Sequence, residues 1–230
     1  MSFDNHLLDT LRPADLQLLE PHLQRTQLEQ NRILDERGRP ISNVWLPINC
    51  ILSVVIVMQN GDQVESRTIG RESGYGLLHA LGSSFAYERM TVQISGEAWR
   101  LPLAVLASAA DASASLRRLI VHHAQATLVQ SAQATACNSL HDAERRLCRW
   151  LLMTQDRLAS DVLPLTQEHL SIMVGVRRTT VTALAMGLQA RGAISYSRGR
   201  IRVHDRGMLL AGACECYGAI QDAAAAMLGD

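Results

Sequence analysis

Lysine does not occur in this sequence of 230 residues; all 22 basic side chains are arginine. That absence reads as compositional bias and carries no functional weight. Long apolar runs are missing too. The longest, Cys50 to Met58, is broken by Ser53, whereas a membrane-spanning helix needs about 20 apolar residues, so no membrane partner is expected. The first residues, Met-Ser-Phe-Asp-Asn-His, have no basic stretch leading into an apolar one. No secretory signal is therefore expected, and a cytoplasmic location is. Cysteines are few and odd in number, at 50, 137, 148, 214 and 216, without a secreted spacing pattern, which points to reduced thiols. Catalytic signatures are also lacking: there is no Gly-x-Ser-x-Gly, no Walker loop and no His-Glu-x-x-His. Asp142 and Glu144 read as acids at a helix start rather than a catalytic pair. The chain is expected not to be an enzyme, with no catalytic residue.

What is present suffices for a folded core. Apolar residues make up 47% and charged residues 19%, which excludes a disordered chain. The net charge of zero hides an asymmetry. From Leu165 to His204 there are six arginines and one acid, Glu168, a local charge of +5; the rest holds 16 arginines and 21 acids, a charge of −5. One basic segment on an acidic protein predicts one face for a polyanion.

The order of textures along the chain predicts an α+β protein. Asp4 to Glu20 reads as one or two short helices around Pro13. Strands are expected at Asn43 to Leu46, Ile51 to Met58, Gln63 to Ile69, Met90 to Ile94 and Ala98 to Leu101, with a hairpin at Gln59-Asn60-Gly61-Asp62. Many short strands with turns between them suggest a small antiparallel barrel or jelly roll. After Pro102 the strands give way to helices: Leu103 to Ala110, a long one over Ser113 to Asn138 free of Gly and Pro, and His141 to Ala159. In the long helix Leu116, Ile120, Ala124 and Leu128 form a stripe that Leu119 and Val121 widen. At about 37 Å it is longer than a small barrel needs, so it is expected to pack on a second copy of itself; burial against its own barrel is the alternative. The expected units are a barrel at 1–112, a dimerisation helix at 113–138 and a third unit at 139–230 that contains the basic segment.

Leu165 to His204 is the most informative stretch. Thr166 is placed to cap a helix, Leu170, Met173 and Val174 form an inward stripe, and Gly175 suits a left-handed stop. A second helix begins at Arg177 or Arg178. Val181, Leu184 and Leu188 face inward, and Arg178, Thr179, Thr182 and Ala183 face outward. Two helices joined by a tight glycine turn are a helix-turn-helix. Two arginines at a helix N-terminus oppose the helix dipole, which makes sense if phosphates or guanine acceptors approach. Ile194 to Val203 reads as strand, Arg-Gly-Arg turn and strand, a basic wing whose Arg198 and Arg200 would meet phosphates.

The run Thr166-Gln-Glu-His-Leu-Ser-Ile-Met-Val-Gly175-Val-Arg-Arg178-Thr-Thr180-Val181, then Leu188-Gln-Ala-Arg-Gly-Ala-Ile194, resembles the winged helix-turn-helix of the Crp/Fnr (cyclic-AMP receptor) family of bacterial transcription regulators. The order of barrel, long helix and winged helix matches over nearly the whole chain. The resemblance implies a cyclic-nucleotide-binding-like jelly roll and a sequence-specific regulator acting as a homodimer on a palindromic operator. Its partners would be duplex DNA and a second copy, with RNA polymerase as an open candidate. It implies that Arg178 reads guanine and that Thr180 contacts phosphate. The family's glutamate between them is Thr179 here, its second base-reading arginine is Ala183, and its capping serine is Arg177. Thr179 and Thr182 would then select bases, so the operator should depart from the usual family consensus. The alternative is a small-molecule or redox sensor whose output is protein contact.

The family's phosphate cassette fits less well. Gly76 keeps the turn, but Leu77 stands where the glutamate should, and Arg89 beside Thr91 is out of register with the arginine–hydroxyl pair. In the long helix Ser131 matches a base-contacting hydroxyl and Ala132 has lost one. A cyclic nucleotide is therefore disfavoured, because a buried phosphate needs a charge partner. Neither an iron–sulfur cluster nor haem is supported: the family's cluster cysteines lie near the N-terminus, where none precedes Cys50. Cys214 and Cys216 are two thiols, too few for a closed zinc site, and are expected to pack a terminal helix, so no metal is expected. His122 and His123, being adjacent, point to different helix faces.

Overall fold

Alternation of apolar and polar residues and well-placed turns build the N-terminal half into two antiparallel sheets. The structure is a computed structural model describing residues 2–228; Met1 and residues 229–230 of the expected 1–112 and 139–230 units lie outside them. Helices α1 (His6–Asp9) and α2 (Pro13–Leu19) come first. Strands β1 (Gln24–Leu28), β7 (Gly96–Pro102) and β3 (Asn43–Pro47) form one sheet; β2 (Ile33–Asp35), β6 (Arg89–Ile94), β4 (Ile51–Val57) and β5 (Gln63–Ile69) form the other. The β4–β5 hairpin turns at the expected Asn-Gly, where Gly61 takes φ +87°. Strands β1 and β2 were not expected. Both lie at sheet edges, and Gln24-Arg-Thr-Gln carries no apolar alternation.

Strand β4 explains its own unbroken apolar run. Leu52 and Val54 point into the jelly-roll core with Leu28, Tyr75, Met90 and Leu101. Ile51, on the other face, joins Ile94 in a second core built by the C-terminal helices. A strand covered on both faces reads as continuous rather than alternating.

Helices α3 (Leu103–Ala112) and α4 (Ala114–Leu140) follow. Ser113 caps α4 by accepting from the Leu116 amide at 3.2 Å. The expected stripe on α4 divides in two. Leu116 and Ile120 are fully buried in the jelly-roll core, because the first turns of α4 lie against that domain. Val121 and Leu128 are 42% and 70% exposed. The stripe is thus a property of two different surroundings, which spacing along one helix cannot separate.

The C-terminal half comprises α5 (Ala143–Leu158), β8 (Val162–Leu163), α6 (Gln167–Val174), α7 (Arg178–Ala190), β9 (Ile194–Ser197), β10 (Arg200–Val203), α8 (Arg206–Gly212) and α9 (Cys216–Leu228). Its core gathers Leu147, Leu151, Leu170, Met173, Val181, Leu188, Ile194 and Ile201. Specific bonds dock it on the jelly roll: Arg157 Nε meets Glu72 at 2.8 Å, Gln30 Nε2 donates to the Pro164 carbonyl at 3.2 Å, and His169 Nε2 lies 2.9 Å from Asn31 Oδ1. Among the described residues no helix is long and apolar enough to cross a membrane.

Candidate nucleic-acid interface

The helix-turn-helix assembles as local chemistry dictates. Thr166 Oγ1 accepts from the His169 amide at 3.2 Å while His169 Nδ1 accepts from the Thr166 amide at 3.4 Å, a reciprocal cap of the type usually made by Glu or Gln. Gly175 ends α6 in the left-handed region at φ +69°, a conformation that glycine adopts without steric cost. Helix α7 starts after Arg177, which makes no side-chain cap bond. Its first amides thus keep their donor capacity toward solvent.

Arg177, Arg178, Thr179 and Thr180 are all exposed, while Val181, Ala185 and Leu188 are buried. The outward face of α7 is therefore the expected one, with two refinements. Thr182 is half-buried, and its hydroxyl donates to the Arg178 carbonyl at 2.9 Å. It keeps a methyl and acceptor lone pairs for a base edge. Arg178 Nη2 lies 2.6 Å from Glu168 Oε2, with side chains 59% and 63% exposed. The single acid of the basic segment thus holds the arginine at the mouth of the site. An exposed pair of this kind is worth only about 0.2–1 kcal/mol, so a stronger anion can displace it.

The wing forms as the alternation implies. Strands β9 and β10 pair with Arg200 opposite Ser197 and Val203 opposite Ile194, and β8 adds a third strand beside β10. Arg198 and Gly199 turn the chain with φ of +49° and +73°, the double left-handed geometry that suits a two-residue hairpin. Arg198 and Arg200 are exposed. Gln189 Oε1 accepts from the Tyr196 amide at 2.9 Å, tying the recognition helix to the wing. Thr166, Arg178 and Arg198 line one open groove of about 650 Å³ between helix and wing, together with Gln167, Tyr196 and Ser197. Gln167 escaped the sequence reading; its position one residue after the Thr166 cap was the available signal. Arg177, Thr179, Thr180, Thr182 and Arg200 lie outside that groove.

The nucleotide-type cleft is a second site, of about 650 Å³, between the jelly roll and α4. Gly76 and Leu77 line it. Gly76 takes φ +89°, and a Cβ there would meet the Asn43 carbonyl at 3.2 Å. Arg89 and Ser131, expected here, are absent from this lining. Arg89 bonds Glu36 at 2.9 Å and borders a different cleft, because it stands at the start of β6 beside β4. The cleft's cation is Arg67 of β5, which the sequence reading did not select, and it pairs with Glu88 at 3.1 Å. From α4 the cleft receives His123, Thr127 and Gln130. Burial pushes His123 down to about 4, so its ring is neutral near pH 7, with Nε2 2.8 Å from Ser73 Oγ.

Comparison with known proteins agrees with this geometry. Residues 145–211 match the Crp-like helix-turn-helix domain. No curated protein matches the sequence. Among solved structures, the chain is similar to a protein from Eubacterium rectale described as a transcriptional regulator of the crp/fnr family, with TM-score 0.71, 16% identity, and 92% of this chain and 99% of that one covered. It is also similar to FixK2 from Bradyrhizobium japonicum, with TM-score 0.72 and 14% identity over 84% of this chain and 98% of that one. A third is the global regulator CLP of Xanthomonas campestris, described as c-di-GMP responsive, with TM-score 0.68 and 14% identity over 84% of this chain and 100% of that one. At such identities the structural likeness carries the fold alone; the domain match carries the DNA-binding character.

Proposed function

We propose that this chain, which carries a Crp-like helix-turn-helix domain on the fold of the Crp/Fnr regulators, is a DNA-binding transcription regulator and not an enzyme, and that it acts in the cytoplasm as a homodimer on a palindromic operator. The observation that carries the finer reading is the groove shared by Thr166, Arg178 and Arg198. One arginine of the second helix and one of the wing lie along a single path, which supports contact with a duplex backbone and its adjacent major groove. Arg178 reads a base, Thr180 and the wing arginines hold phosphates, and Thr179 and Thr182 select neighbouring bases. The exposed Val121 and Leu128 of α4 pack on the same residues of a second copy, which sets the two recognition helices about 34 Å apart. Among the described residues Arg67 is the one arginine lining the nucleotide-type cleft, and it is already paired with Glu88; Leu77 offers no carboxylate. This supports regulation without a cyclic nucleotide.

The test selects bound fragments from genomic DNA and measures affinity for the selected site against salt. The expected result is an inverted repeat with half-sites about 10 base pairs apart, bound by two chains, with a steep loss of affinity as salt rises. Enrichment of no sequence, or a chain that sediments as a monomer on its operator, would overturn the reading.

A further inference from the structure

The fold brings four ligand atoms together that the sequence keeps far apart. Cys137 lies on the last turns of α4, and His141 is the residue that ends that helix. Cys216 is the first residue of α9, and Cys214 stands two residues before it. Their three sulfurs and one imidazole nitrogen all lie within 4.8 Å of one another. The Cys137 and Cys214 sulfurs are 3.5 Å apart, and Cys216 Sγ is 3.5 Å from His141 Nδ1. A tetrahedral zinc site with bonds of about 2.3 Å to sulfur needs ligand atoms about 3.8 Å apart. The two thiols visible in the sequence as a pair thus become three thiols and an imidazole. This set is too closely gathered for an iron–sulfur cluster, whose ligands surround a polynuclear core.

The surroundings are those of a metal site. The far nitrogen of the imidazole, His141 Nε2, lies 3.2 Å from Glu215 Oε1. A proton held there leaves Nδ1, the nitrogen facing the sulfurs, with a free lone pair, the arrangement that metal-bound histidines commonly use. Gln133 Nε2 donates to Cys216 Sγ at 3.0 Å. All three cysteines are buried, and burial pushes the Cys137 thiol up in the absence of a cation. Arg149, 1% exposed, has no carboxylate partner among the described residues, and its Nε donates to nothing. Its charge acts on both Cys137 and Cys214, lowering each thiol against the larger effect of burial. Three thiolates, one neutral imidazole and a divalent ion sum to one negative charge, which this buried guanidinium offsets.

We propose that Cys137, His141, Cys214 and Cys216 form a tetrahedral binding site for one zinc-class ion, which fastens the end of the long helix to the start of the C-terminal helix. Three S–H bonds break on binding, their protons pass to solvent, and three metal–sulfur bonds and one metal–nitrogen bond form; no electron is transferred. The ligands bracket the joint between α4 and the DNA-binding half, so the ion fixes the angle at which that half is carried.

The experiment uses the full chain, reduced and stripped with chelator, then titrated with Co²⁺ and competed with Zn²⁺. The expected result is one ion per chain, with thiolate-to-cobalt charge transfer and the intense visible bands of four-coordinate cobalt. Cys214→Ser and Cys216→Ser abolish these bands. Cys148→Ser, which changes a buried thiol outside the cluster, keeps them. Glu215→Gln weakens the ion about 10–100-fold at unchanged stoichiometry. Should the serine variants fail to fold, Glu215→Gln and His141→Gln carry the test. Three outcomes would overturn the site: no cobalt bands in the folded wild-type chain, undiminished affinity in both of those variants, or a Cys137–Cys214 disulfide that persists under reductant and excludes the metal.

Discussion

The recognition groove and the nucleotide-type cleft each hold one arginine–glutamate pair, and the pairs are held differently. Arg178 and Glu168 meet at 2.6 Å with more than half of each side chain in water. Arg67 and Glu88 meet at 3.1 Å with only 17% and 24% of their side chains exposed. Solvent screens the first pair, so a phosphate or a guanine edge can take the arginine over at little cost. The second pair is screened less, and an incoming anion must displace a carboxylate that water cannot easily receive. The lesson is that an arginine in a pocket is a binding group only while its charge is available. One acid, placed in water or out of it, sets how available that charge is.

This contrast can be broken at several points. The largest effect is expected for Arg178→Ala, which should cost about 1–3 kcal/mol of operator binding and relax base choice at one position; affinities on single-base operator variants measure it, and equal loss on every sequence would reject base reading. Next is Glu65, fully buried in the jelly roll, where Ser53, Thr68 and Gln93 donate to it. Burial outweighs those bonds and pushes it up to about 7 from 4.5. Between those values the folded chain holds the proton that the unfolded chain has lost. Stability from this group therefore falls as pH rises from about 4.5 to about 7 and levels off above. Glu65→Gln should remove that fall and raise unfolding stability at pH 8 by about 1–3 kcal/mol, with little change at pH 4; denaturant titrations at the two pH values decide it.

Smaller effects test the pairs themselves. Glu88→Gln frees Arg67, and cyclic nucleotide binding measured calorimetrically should strengthen by about tenfold, about 1.4 kcal/mol; no gain would mean that the missing carboxylate at Leu77 limits the cleft rather than the paired cation. Arg200→Ala should weaken all duplexes alike and reduce the salt slope by about 1. Smallest is Glu168→Gln, which releases Arg178 and should tighten operator binding by about 0.2–1 kcal/mol; weaker binding would show that the glutamate positions the arginine instead of competing for it.

Much of the site was legible before the fold was known. Thr166, Gly175 and the Arg198–Gly199 turn are local devices: a cap, a left-handed stop and a hairpin, each set by a few neighbouring residues. The outward arginines follow from helical spacing once the inward stripe is placed. The nucleotide-type cleft was less legible. Arg89 and Arg67 lie on neighbouring runs of similar composition, and which one lines the cleft depends on how β5 and β6 pair with β4. The stripe on α4 was legible as a stripe, but its division between jelly roll and solvent was not.

The amino-acid order by itself determined the winged helix-turn-helix, the hairpins and the succession of sheet and helix, because periodicity, capping and turn chemistry act over a few residues. Only the tertiary structure decided that Glu168 holds Arg178, that Arg67 rather than Arg89 lines the cleft, and that Cys137 and His141 join two cysteines more than 70 positions later. Those juxtapositions come from the packing of distant elements against a shared core, and no local rule encodes which side chains two packed surfaces bring face to face.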